Sequence, residues 1–189
     1  MEKKEQINWI NTRTNSKNLT LCAMLLAIGI VLPNFTGPQL GSILLPMHIP
    51  ALLAGIIVGW KYGLMVGILI PIFRSFLFGM PPLLPIGLAM AIELGTYAFI
   101  SGIIYNKKQV FSLKRVYMAL IGAMLIGRVT FGLAMFTMLS GLGLGMGVYS
   151  FSIWFTSVFV SSWVGILIHL FLIPLVVSAL NRSGFFHRN

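Results

Sequence analysis

Three ionisable side chains stand inside long apolar stretches of this 189-residue sequence: Arg74, Glu93 and Arg128. Glu93 lies in LAMAIELGTY (88–97) and is the only acidic side chain from Gln6 to Asn189. A carboxylate in such a place can accept charge-assisted hydrogen bonds from a ligand's N–H groups. It can also pair with an arginine and lock helices together. A charge at the bilayer centre costs about 2.5–3.5 kcal/mol on insertion scales, so the first reading of an intramembrane acid is functional. His48 lies between Pro46 and Pro50, which fix the backbone around it. It can present its ring to a ligand or simply shape a loop. His169 is a possible fourth member of the ionisable set, or a packing histidine. Tyr97, Trp154 and Trp163 offer flat faces on which a ring can stack.

Other chemistries have no carriers. There is no G-x-x-x-x-G-K-[ST] loop, so the chain has no means of hydrolysing ATP. No G-x-S-x-G, H-E-x-x-H or paired carboxylates occur, which leaves an intramembrane enzyme without a nucleophile or base. No catalytic residue, metal site or cofactor is expected. Cys22 is the sole cysteine and lies in an apolar run, where it reads as a packing residue.

The elements that hold these residues are membrane helices. Hydrophobic residues make up 58% of the chain and charged ones 8%, against roughly 25% charged in a soluble domain. Six apolar segments approach the 17–25 residues of a spanning helix. They run over 18–32, 49–59 (or from 43), 62–78, 86–105, 116–139 and 149–180. Pro33 is expected to end the first, with NFTGPQLG as a loop, and Pro174 to interrupt the last. SGLGLGMG (140–147) reads as a mobile outer loop, either a lid or a plain connector. The N-terminal polar stretch lacks a cleavage site after the first apolar run, so that run is read as a retained helix.

The basic residues fix an orientation. Lys3, Lys4, Arg13, Lys17, Lys61, Lys107, Lys108, Lys114, Arg115, Arg182 and Arg188 all fall in alternate loops or termini, while loops 33–48, 79–85 and 140–148 hold none. The positive-inside rule places both termini in the cytoplasm. The expectation is an all-α integral membrane protein of six transmembrane helices. Residues 1–17 form a cytoplasmic segment, 18–181 the membrane domain and 182–189 a cytoplasmic tail. The net charge of +10 thus marks the cytoplasmic loops, and no nucleic-acid signature accompanies it. At 1.5 Å per residue, Arg74, Glu93 and Arg128 lie roughly 7, 10 and 16 Å below the outer surface and can share one cavity.

Over nearly its whole length the chain resembles the substrate-binding S component of energy-coupling factor (ECF) vitamin transporters. The resemblance rests on six spans in about 190 residues, on Ala23-x-x-x-Ala27, and most specifically on HIPALLAGIIVGWKYGLMVGIL (48–69). It implies that Ala23 and Ala27 pack on a membrane coupling protein (the ECF T component), which carries two cytoplasmic ATPases in a bacterial cell membrane. It implies capture of a vitamin near the outer face and toppling of the subunit during transport. The LPMHIP and FGMPP loops look most like the branch linked to hydroxymethylpyrimidine or pyridoxine. On this reading the substrate-binding residues are Glu93, Arg128, Arg74, His48, Tyr97, Trp154, Trp163 and His169. Pantothenate is an alternative, because a spare arginine would hold its carboxylate. A membrane scaffold with a structural Glu–Arg lock is an alternative of another class.

Overall fold

The structure, a computed structural model, describes residues 2–105, 111–141, 151–156, 160 and 162–185. Among these, all regular structure is helical. Helix α1 covers Glu2–Leu44, α2 His48–Val58, α3 Trp60–Phe78, α4 Leu88–Ile104, α5 Leu113–Gly141, α6 Phe151–Phe155 and α7 Trp163–Arg182. A π-type turn over Leu83–Gly87 leads into α4. Five of the helical stretches are long and apolar enough to cross a membrane: Ser16–Gly37, Trp60–Phe78, Leu83–Ile104, Leu113–Leu139 and Trp163–Arg182. The SGLGLGMG segment lies almost wholly outside the described residues.

The second segment is different in kind. At 11 residues α2 is about 16 Å long, short of the ~30 Å hydrocarbon layer. Ten of its residues are buried, because α1, α3, α4 and α7 surround it. Its apolar character therefore serves the interior of the bundle and not lipid. Gly59 (φ 99°) makes the turn into α3, a backbone conformation that L side chains rarely adopt. Gly55 lies against the Ala98 carbonyl and Ser101, and Gly67 against the Leu94 carbonyl. These two contacts bring α2 and α3 onto α4 at a distance that a side chain would prevent.

Two expected helix ends do not fall at their prolines. Pro33 does not end α1; the break comes at Gly37 (φ 66°, ψ 175°). Carbonyls at this bend find side-chain donors, since Thr36 Oγ1 donates to Pro33 O at 3.0 Å and Arg74 Nη1 to Ile30 O at 2.8 Å. Likewise Pro174 does not end a helix, since α7 runs unbroken through it to Arg182. Proline is tolerated inside membrane helices where neighbours satisfy the freed backbone groups.

Helix α4 is the centre of the bundle, packed by α2, α3 and α5. The core joins Leu52, Ile56, Ile70, Leu94, Leu120 and Ile173. Outward faces are apolar too: Trp163, Leu167, Phe171 and Leu175 recur every fourth residue of α7 and are all exposed, the stripe a lipid-facing helix presents.

Contacts also gather the basic termini of the helices at one end. Gly102 near the end of α4 lies against the backbone of Trp60, where α3 begins beside Lys61. The end of α4 at Tyr105 is close enough to feel the charge of Arg115 at the start of α5. Residues near the start of α5 share a groove with Arg182 at the end of α7, and Lys17 lies 5.0 Å over the Phe185 ring.

Candidate functional site

Away from that end lie all the buried Glu, Arg and His side chains among the described residues. His48 is the first residue of α2. Glu93 and Tyr97 are one turn apart on α4 and so share a face. Arg128 comes from the middle of α5 and His169 from the second turn of α7. All five are buried, with Glu93 2% and Arg128 5% exposed. Four helices therefore supply one cluster.

Its centre is a single oxygen. Glu93 Oε1 accepts from Tyr97 Oη at 3.0 Å, faces Arg128 Nη1 at 3.1 Å, and lies 3.6 Å from His48 Nε2. The last distance is too long for a hydrogen bond. The guanidinium of Arg128 cancels the carboxylate charge, which is what allows both to stay buried. Arg128 Nη2 continues to Ser162 Oγ at 3.4 Å, and its backbone carbonyl accepts from Trp154 Nε1 at 3.3 Å.

The histidines extend the cluster sideways. Their rings stack with centroids 6.0 Å apart and planes 20° apart, and His48 also tilts against the Tyr97 ring at 5.2 Å. His169 Nε2 lies 3.3 Å from the Leu45 carbonyl. In a neutral ring that contact places the proton on Nε2 and leaves Nδ1 as an acceptor.

Several atoms of these buried groups make no hydrogen bond with a described residue. Among the described residues, His48 Nδ1 and Nε2, Arg128 Nε and His169 Nδ1 make no hydrogen bond. Leaving a buried donor or acceptor unpaired costs about 1–3 kcal/mol. Four such atoms in one cluster are a poor way to lock helices and a suitable way to receive a polar molecule. The cluster offers donors, acceptors and aromatic faces with the carboxylate already neutralised. Among the described residues no group of three His, Cys, Asp or Glu has the geometry of a metal site.

Glycines and one turn place these side chains. Gly127 lies directly under the Tyr97 ring, so a methyl there would overlap it. Gly132 is similarly covered by the Trp154 indole. Gly165 lets α7 touch the backbone of Ile43 and Leu44, which brings His169 to Leu45. Leu45 itself has φ 51°, and its carbonyl also accepts the backbone N–H of His48 at 3.0 Å. Sequence reasoning misses Ser162, Gly127 and the Leu45 carbonyl; the adjacency of Gly127 and Arg128 is the signal that was available.

Two expected members stand apart. Arg74 does not reach Glu93: its Nη1 donates to Ile30 O and to Asn34 Oδ1, each at 2.8 Å, and its guanidinium lies 5.3 Å over the Phe78 ring. It points to α1 because its position on α3 faces that helix, although its depth is right for the cluster. Trp163 is 58% exposed on the outer face of α7 and does not join the cluster. Ala23 and Ala27 are exposed on α1.

Residues 17–177 match the family model described as "ECF transporter, substrate-specific component". No curated protein and no solved structure matches the chain.

Proposed function

The chain belongs to the ECF transporter substrate-specific component family, and from that premise we propose that the Glu93–Arg128–Tyr97–His48–His169 cluster is where it holds its substrate. Family membership makes the protein a multi-pass membrane subunit that binds a small vitamin-type molecule for transport, not an enzyme. The observation that carries the site is the set of unpaired buried atoms around a neutralised carboxylate.

The substrate we propose is hydroxymethylpyrimidine or pyridoxine. A flat nitrogen heterocycle with an N–H edge would donate to the Glu93 carboxylate, whose Oε1 already accepts from Tyr97. Its ring nitrogen or hydroxyl groups would complement Arg128 Nε, His48 and His169 Nδ1. Tyr97, Trp154 and the two imidazoles supply stacking faces. Pantothenate loses its support, because the second arginine that would hold its carboxylate is engaged by α1. The Glu–Arg lock accounts for one contact, Glu93 to Arg128, and for none of the unpaired atoms.

Uptake would run through partners. A coupling membrane protein carrying two ATPases would dock on α1, where Ala23 and Ala27 are exposed and small residues four apart permit close helix approach. The end of the bundle that gathers Lys17, Lys61, Arg115 and Arg182 would face the cytoplasm of a bacterial cell, with both termini there and the cluster in the outer half. The test is native mass spectrometry of protein purified from cells grown on rich medium. A retained mass equal to one of the two heterocycles is the expected result; a retained acidic vitamin would reject the substrate assignment.

A further inference from the structure

A second site lies at the other end of the molecule. A groove of about 360 Å³ opens between the start of α5 and the end of α7, lined among others by Tyr117, Phe171, Pro174, Leu175, Ser178 and Arg182. It is elongated: Phe171 to Arg182 spans eleven residues of α7, about 16 Å along the helix axis. Its deep part is apolar, and its Phe171 and Leu175 walls are 75% and 56% exposed. Its mouth is polar and basic. Arg182 is exposed in the last turn of α7, Ser178 and Tyr117 carry hydroxyls, and Lys114 is exposed where α5 begins.

Among the described residues neither Arg182 nor Lys114 is paired with a carboxylate. Apart from Glu93, which is buried beside Arg128, the only acidic side chains are Glu2 and Glu5. A helix pair in a bilayer with an apolar slot below a cationic rim fits one occupant, a lipid with an acyl tail and a negative headgroup. We propose that the α5–α7 groove is a binding site for an anionic glycerophospholipid. One acyl chain lies along Phe171, Pro174 and Leu175, and the phosphate meets Arg182 with Ser178 and Tyr117 beside it. The site is separate from the Glu93 cluster and does not depend on which vitamin that cluster holds.

The experiment reconstitutes the full chain into vesicles of equal parts phosphatidylglycerol and phosphatidylcholine, then counts retained lipids by native mass spectrometry. Wild-type protein is expected to keep one phosphatidylglycerol in preference to phosphatidylcholine by at least tenfold. Arg182→Gln should abolish that preference. Ser178→Trp, which fills the slot without touching the charge, should lower retention of the bound lipid at least fivefold. Both variants are checked for a monodisperse elution profile, and a substitution that fails this check is replaced by Arg182→Ala or Ala179→Leu. Equal retention of the two lipids by wild type would overturn the proposal. So would an unchanged preference in the Arg182 variant, or displacement of the lipid by a second copy of the chain or by a co-purified membrane subunit crosslinked at position 178.

Discussion

Arg128 and Arg74 carry the same charge within apolar helices, yet their surroundings are unlike. Arg128 is buried against a carboxylate, a tyrosine-bearing helix face and Ser162. Arg74 is partly exposed and spends its donors on a backbone carbonyl, an asparagine and an aromatic face. The first arrangement neutralises an acid that lipid would not tolerate and leaves Nε unpaired. The second ties α3 to α1 through Nη1. We read a buried charge that keeps unused hydrogen-bonding capacity as part of a binding site, and one that donates to the backbone of a neighbouring helix as a structural tie.

Substitutions should separate the two regions. The largest loss is expected for Arg128→Met, which strands Glu93 without a counter-charge. Removing one partner of a buried pair costs about 3–5 kcal/mol, read as a fall in the thermal unfolding midpoint in detergent. A variant as stable as wild type would show that Glu93 is not ionised against Arg128. Next comes Gly127→Ala, whose methyl overlaps the Tyr97 ring. Overpacking of this kind costs about 1–3 kcal/mol. Ligand affinity should fall with stability, because Tyr97 can no longer reach Glu93; unchanged affinity in a titration would remove Tyr97 from the site. The smallest effect is expected for Arg74→Gln. Loss of its contacts to α1 should cost about 0.5–1.5 kcal/mol and leave ligand affinity within twofold of wild type. A tenfold weaker ligand would erase the distinction between the two arginines.

The chemistry of the site was more legible in the sequence than its membership. Glu93 announces itself as the lone acid of the apolar region, and helix rise puts Arg128 and Arg74 at compatible depths. Depth, however, says nothing about the direction a side chain takes around its helix. Arg74 faces α1, and only the packing of α3 between α1 and α4 decides that. Trp163 errs the same way, as the start of an outward stripe. His48 looked like a loop residue because Pro46 and Pro50 flank it, yet it opens a helix buried on all sides. The spans were legible from apolar length, while the end set by Gly37 was not. A proline is easy to see, but whether its helix continues depends on the packing around it.

The central claim is that Glu93 meets a ligand and not merely Arg128. Calorimetric titration of purified wild-type protein and Glu93→Gln with hydroxymethylpyrimidine and with pyridoxine tests it directly. Wild type should bind one of them with a Kd well below the millimolar range. The glutamine variant, which keeps the shape but loses the charge, should bind at least tenfold more weakly, about 1.4 kcal/mol. Equal affinity of the two proteins, or no binding of either compound below the millimolar range, would contradict the account.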